Sequence, residues 1–231
     1  MTANAQPMVH VVDDDDSVCR SLVNLLEEVG MPVATFPSAE AFLKALRDDT
    51  RGCILLDVRM PGMSGLQLQL ELRERGVTMP TIILTGHADV PMAVSAMSAG
   101  AAGFIEKPFH PQELLDRIHD CLEADSRQAS LRTERRHASD ALARLSSREH
   151  EVLSQLVAGK PSKLIASALG ISEKTVDVHR SNLMRKTGTR SVAELMRLWF
   201  LIHPVEEHLD QAAPSRRPGP LSTPPAARPT R

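Results

Sequence analysis

Five short apolar runs, four or five residues long, recur through the first half of the chain with helical patterns between them. This alternation restricts the fold more than any other feature. The runs are VHVV (9–12), PVATF (32–36), CILLD (53–57), TIILT (81–85) and GFIE (103–106). After the first, Val18, Leu22, Leu25, Leu26 and Val29 repeat at helical spacing and stop at Gly30. Ser38 is an N-cap candidate for a helix carrying Phe42, Leu43 and Leu46. Leu66, Leu68, Leu70 and Leu72 fall in the next helix, and further helices are expected from Pro91 to Ala99 and from Pro111. Strands that are apolar on both faces belong in a sheet covered on both sides. The pattern therefore predicts a five-stranded parallel sheet, a doubly wound α/β domain.

In such a sheet, ligands bind in the crevice beyond the carboxyl ends of the strands, so the polar residues there carry the most information. Run one ends in Asp13-Asp14, run three in Asp57, run four in Thr85 and run five in Glu106-Lys107. Taken singly, Thr85 reads as a turn residue, Lys107 as a solvated charge and Asp57 as a loop cap. Four strand ends agreeing is a different matter. Clustered carboxylates raise each other's pKa unless a cation sits among them, and oxygen-only donors favour Mg²⁺ or Mn²⁺. An ammonium and a hydroxyl opposite suit an incoming phosphoryl group. Asp57 is then the natural nucleophile for an acyl phosphate.

The second half differs in charge. Residues 1–125 hold 19 Asp and Glu against 9 Lys and Arg, whereas residues 126–231 hold 10 against 18. An acidic half joined to a basic half suggests two domains, the second facing a polyanion. No Pro or Gly occurs from 112 to 145, and residues 124–144 are highly charged with little apolar periodicity. That stretch reads as a helical linker, with a flexible coil as the alternative. Helical patterns over 145–159, 162–170, 171–188 and 191–201 follow, punctuated by Gly159, Gly170 and Gly188. Helix, tight glycine turn, Ser172 cap and basic helix form a helix-turn-helix layout, whose second helix enters the major groove. The stretch 203–231 holds seven prolines and four arginines and reads as a disordered tail.

The motifs VVDDDDSV, LLDVRMPGMSG and ILTGHADVPMAVSAMSAGAAGFIEKPF, in this order, closely resemble the receiver domain of two-component response regulators of the FixJ/NarL type, over residues 8–123. LSSREHEVL, GKPSKLIASALGIS, KTVDVHRSNLMRK and RSVAEL resemble the LuxR-type helix-turn-helix domain, placed at 145–201. The resemblance implies phosphoryl transfer from a sensor histidine kinase to Asp57. Asp13, Asp14, Asp57 and the backbone carbonyl of Arg59 would hold Mg²⁺, Thr85 and Lys107 would read the phosphate, and Phe104 would be the aromatic switch. It also implies a cis Lys107–Pro108 bond, dimerisation on phosphorylation, promoter DNA and RNA polymerase as partners, and a cytoplasmic transcription factor that is not an enzyme. Lys163, Lys174, Thr175, Arg180 and Lys186 would meet the DNA backbone, and Asp177, Val178 and Ser181 the base edges. Gly62 and Asp177 depart from the usual pattern.

Of the four carboxylates in VVDDDDS, Asp13 and Asp14 are expected to face the pocket and Asp16 to cap the following helix, with Asp15 as a turn residue. The N-terminus lacks the order of a signal peptide, and no apolar run approaches a membrane span. The three cysteines lack metal-site spacing. Two rival readings use the same residues. An Asp-nucleophile phosphatase would usually need a second acid where Arg59 stands. A phosphorylation-independent DNA-binding protein would leave the acidic site without work.

Overall fold

The computed structural model describes residues 6–86 and 90–203, which divide into two compact units at Arg132/Thr133. The expected tail beyond His203 lies outside the described residues. The first unit is built from β1 (Met8–Val12), α1 (Asp16–Glu28), β2 (Val33–Phe36), α2 (Ala39–Ala45), β3 (Gly52–Asp57), α3 (Gly65–Glu74), β4 (Thr81–Thr85), α4 (Val90–Ser98), β5 (Gly103–Glu106) and the start of α5 (Pro111–Leu142). All strand pairs are parallel, in the order β2-β1-β3-β4-β5.

Successive strand residues point to opposite faces, so each apolar run feeds two cores. Val9, Val11, Leu55, Ile82 and Leu84 pack on one face with Leu22 and Leu26 of α1 and Leu114 and Ile118 of α5. Val12, Ile54, Leu56 and Ile83 pack on the other with Phe42 of α2, Leu68 and Leu72 of α3 and Ala96 of α4. Each large aliphatic side chain removed from water contributes roughly 1.5–3 kcal/mol. The sheet is therefore committed to helices on both faces.

The start of α1 corrects one expectation. Asp15, not Asp16, is the N-cap: its carboxylate accepts from Ser17 N at 2.7 Å and Val18 N at 3.4 Å. β1 ends at Val12, so Asp13 and Asp14 form the connecting turn. Asp15 then keeps the extended backbone a cap requires, with its carbonyl accepting from Cys19 N. Asp16 stands in the first helical turn, at the positive end of the macrodipole.

In the second unit, α6 (Ser147–Val157), α7 (Ser162–Leu169), α8 (Glu173–Thr187) and α9 (Val192–Ile202) enclose a core that includes Leu142, Leu153, Ile165, Val176, Leu183 and Leu195. Gly170 and Gly188 end α7 and α8 at φ +65° and +72°, a left-handed conformation that glycine adopts without a Cβ clash.

Candidate functional site

The strand order reverses between β1 and β3, and the crevice of a doubly wound sheet opens at such a point. Val12 pairs with Leu56, so Asp13 and Asp57 emerge side by side at the carboxyl edge. Both are buried. Lys107 follows β5, and its long stem carries the ammonium past β4 to Asp13 Oδ2 at 2.6 Å and Asp57 Oδ1 at 2.8 Å. Burial pulls the Lys107 pKa down, but hydrogen bonds and charge from Asp13 and Asp57 outweigh it and hold the pKa above that of an ordinary lysine.

The remaining carboxylate oxygens are also engaged. Asp13 Oδ1 accepts from Asp15 N at 2.9 Å, and Asp57 Oδ2 from Arg59 N at 2.7 Å. Thr85 is buried at the end of β4, and its carbonyl accepts from Lys107 N at 2.7 Å. Asp14 is exposed beside this pair, and Phe104 is half-buried against the core under α2–α4. The Lys107–Pro108 peptide is cis. The structure thus brings Asp13, Asp57 and Lys107 into direct contact, with Asp14 and Arg59 adjacent in sequence to that contact.

The donor set is all hard oxygen. Among the described residues, no group of three or more His, Cys, Asp or Glu is placed to hold a metal ion. The two buried carboxylates offer hard oxygens to a cation that keeps much of its water, as Mg²⁺ does.

The sequence departure at Gly62 has a local cause. Its φ is +77°, and a Cβ there would stand 3.0 Å from Glu40 Oε1, which accepts from Met63 N at 3.2 Å. Glu40 thus anchors the loop from α2 in the space a side chain at 62 would need.

In the second unit, Lys163, Lys174, Asp177, Val178 and Ser181 are exposed, while Thr175 and Arg180 are half-buried. Val176 and Leu183 face the core. Ser162, not foreseen from sequence, joins the two helices of the motif: it accepts from Arg180 Nη1 at 3.0 Å and donates to Asp177 Oδ1 at 3.4 Å. Asp177 is therefore part of the α7–α8 junction as well as of the exposed face.

Lys186, expected to meet the DNA backbone, is engaged inside its own unit: its ammonium lies 2.7 Å from the buried Glu149. Glu149 also completes the capping box of α6 with Ser146. Ser-x-x-Glu is the local pattern of a capping box, whereas the Lys186 cation comes from far along the chain. Burial raises the Glu149 pKa, yet the Lys186 bond and the Ser146 amide and hydroxyl outweigh it and hold the pKa at about 2, from 4.5.

A depressed carboxylate pKa gives stability that is complete above the unfolded pKa. Here it should be lost as pH falls from about 4.5 through about 2. With screening at the one-third-exposed Lys186, we expect about 1–2 kcal/mol to be at stake. Trp199, the one tryptophan of the chain, packs against this core and reports it. Acid unfolding followed by its fluorescence should begin at higher pH in Lys186→Met; an unchanged midpoint would remove the pair from the account.

Comparison with known proteins gives two family matches: residues 9–119 to the response regulator receiver domain, and residues 143–199 to bacterial regulatory proteins of the luxR family. The chain is 47% identical to the transcriptional regulatory protein FixJ of Azorhizobium caulinodans over 193 residues, covering 84% of this chain and 92% of that protein. It is 45% identical to the transcriptional regulatory protein TdiR of Thauera aromatica, covering 84% and 86%. Among solved structures, the response regulator StyR aligns with a TM-score of 0.76 at 44% identity, over 84% of this chain and 98% of that one.

Proposed function

The chain belongs to the two-component response regulators that join a receiver domain to a LuxR-type DNA-binding domain, and on that basis we propose that Asp57 is its phosphoacceptor and that phosphorylation controls DNA binding. Members of this family are transcriptional regulators and not catalytic enzymes. The observation that carries the proposal is the Asp13–Lys107–Asp57 contact at 2.6 and 2.8 Å. One cation bridges two buried carboxylates at the switch point of the sheet.

Receiver domains generally bind Mg²⁺ at their acidic pocket. Here Asp13, Asp14, Asp57 and the Arg59 carbonyl are the residues to hold it. Held by them, a divalent cation would supply positive charge against the phosphoryl oxygens. Asp57 Oδ1 attacks the phosphorus, its donor departs, and Lys107 transfers its hydrogen bond from the carboxylate to the new phosphoryl group. Thr85 takes a second phosphoryl oxygen, and Phe104 packs inward behind it. The surface of α4 and β5 then changes shape, and two chains dimerise through it.

The working division is a receiver over 8–123, a helical linker over 124–144 and a DNA-binding domain over 145–201. Lys163, Lys174 and Arg180 neutralise phosphates and the Thr175 hydroxyl contacts the DNA backbone, while Asp177, Val178 and Ser181 face base edges. An acid at 177 accepts from cytosine N4 and repels phosphate, which bears on the operator chosen. A sensor histidine kinase supplies the phosphoryl group, and RNA polymerase in the cytoplasm receives the output. No helix among the described residues is long and apolar enough to cross a membrane.

The test is incubation of the full chain with Mg²⁺ and acetyl phosphate, followed by intact mass and light scattering. An adduct of about 80 Da with a shift to dimer is the expected result; its absence would overturn the reading. On the DNA side, Lys174→Ala should lower the slope of log affinity against log salt by about one, without changing sequence preference. Fluorescence anisotropy across a salt series measures that slope.

A further inference from the structure

A short chain of hydrogen bonds crosses from the first helix of the helix-turn-helix to the second. Ser162 opens α7, whose N-cap, Pro161, supplies no side-chain acceptor. The Ser162 hydroxyl turns to α8 instead. Its oxygen accepts from Arg180 Nη1 at 3.0 Å, and its proton goes to Asp177 Oδ1 at 3.4 Å.

Asp177 and Arg180 are three residues apart on α8, close enough on one helix surface for opposite charges to attract. The hydroxyl stands between them and uses both of its capacities, a lone pair for the guanidinium and its one proton for the carboxylate. Accepting from a cation polarises the O–H bond and strengthens its own donation. One lone pair of the Asp177 carboxylate is thereby tethered. The others stay available, on a residue that is exposed.

One turn further on, the Ser181 hydroxyl donates to Asp177 O at 3.0 Å. Its proton is committed to the helix backbone, and its oxygen is left as an acceptor. The two polar side chains that we assign to base edges, Asp177 and Ser181, therefore both offer lone pairs. In the major groove guanine and thymine present acceptors, which a carboxylate repels. Adenine sets its amino group beside the N7 acceptor, whereas cytosine presents the N4 amino group as its only polar group.

We propose that Ser162 is a specificity-positioning residue of the DNA-binding unit: its hydroxyl holds the Asp177 carboxylate in place to accept from a cytosine N4 amino group. This rests on the reading that α8 enters the major groove of promoter DNA. Without the hydroxyl, Arg180 and Asp177 close on each other and the carboxylate is withdrawn from the base.

The experiment uses the full chain treated with acetyl phosphate and Mg²⁺, and a duplex it selects from random sequence. Each base pair of that duplex is replaced in turn by the other three, and affinities are read by fluorescence anisotropy at fixed salt. Circular dichroism checks the fold of each variant. Wild type should prefer cytosine by at least about tenfold at one position, and Asp177→Ala should remove that preference, which locates the base. Ser162→Ala should reduce the preference to below about threefold at the same position and at no other. Ser162→Thr, which keeps the hydroxyl, should restore it. An equal loss of affinity for every duplex in Ser162→Ala would make Ser162 a packing residue and overturn the proposal. So would an unchanged preference, or a base other than cytosine at the position that Asp177→Ala identifies. Wild type that binds no duplex would instead bring down the DNA-binding reading itself, and the proposal with it.

Discussion

Asp57→Asn should abolish the phosphoryl adduct that the wild-type chain forms with acetyl phosphate and Mg²⁺. The amide keeps the shape of the carboxylate but has neither its charge nor its nucleophilic oxygen pair, so an acyl phosphate cannot form at that position. The fold should survive, because the side chain ends a strand whose packing comes from Ile54, Leu55 and Leu56. The Lys107 ammonium would retain Asp13 at 2.6 Å. A buried lysine that loses one of two carboxylates has its charged form less favoured, so the Lys107 pKa should fall. Intact-mass spectrometry decides the main point. Loss of the adduct with an unchanged circular dichroism spectrum supports Asp57 as acceptor, and a surviving adduct places the phosphoryl group elsewhere.

The second large effect is on the frame around that residue. Gly65 opens α3, and its amide donates to Val58 O at 3.0 Å, which draws the helix against the end of β3. A Cβ there would stand 2.1 Å from Asp57 O and 3.1 Å from Leu56 Cγ. The first clash is with backbone and cannot be relieved by turning a side chain. Gly65→Ala should therefore displace α3 from β3 and cost about 3 kcal/mol or more. Phosphoryl uptake should fall as well, since the same backbone carries the Asp57 carboxylate and the Arg59 amide that bonds it. Gly86→Ala is the control: nothing among the described residues stands within 4 Å of a Cβ there, so it should change stability little. Urea unfolding of the three proteins tests this, and equal midpoints would show that α3 yields more easily than its contacts suggest.

The contrast between what the sequence disclosed and what it withheld has a physical basis. The strands were legible because each is apolar on both faces, and the site was legible because polar residues stand at the carboxyl ends of four of them. Cap assignment within VVDDDDS was not. Asp15 and Asp16 are equally good cap residues, and only the end of β1 at Val12 decides between them. Partners far apart in sequence were hidden altogether. Glu149 finds Lys186 across the second unit, and Arg51 Nη2 reaches the fully buried Asp125 at 3.0 Å across the first. The family resemblance marks Lys186 as a contact to the DNA backbone. Its engagement with a buried carboxylate depends on how α6 and α8 cross.

The measurement that bears most directly on the central claim is DNA affinity with and without phosphorylation, in wild type and Asp57→Asn. Duplexes selected by the protein from random sequence supply the probe, and fluorescence anisotropy at fixed salt supplies the affinity. Wild type treated with acetyl phosphate and Mg²⁺ should bind more tightly than untreated protein, while Asp57→Asn should show no gain. Equal affinities for both proteins, treated and untreated, would contradict a phosphorylation switch at Asp57.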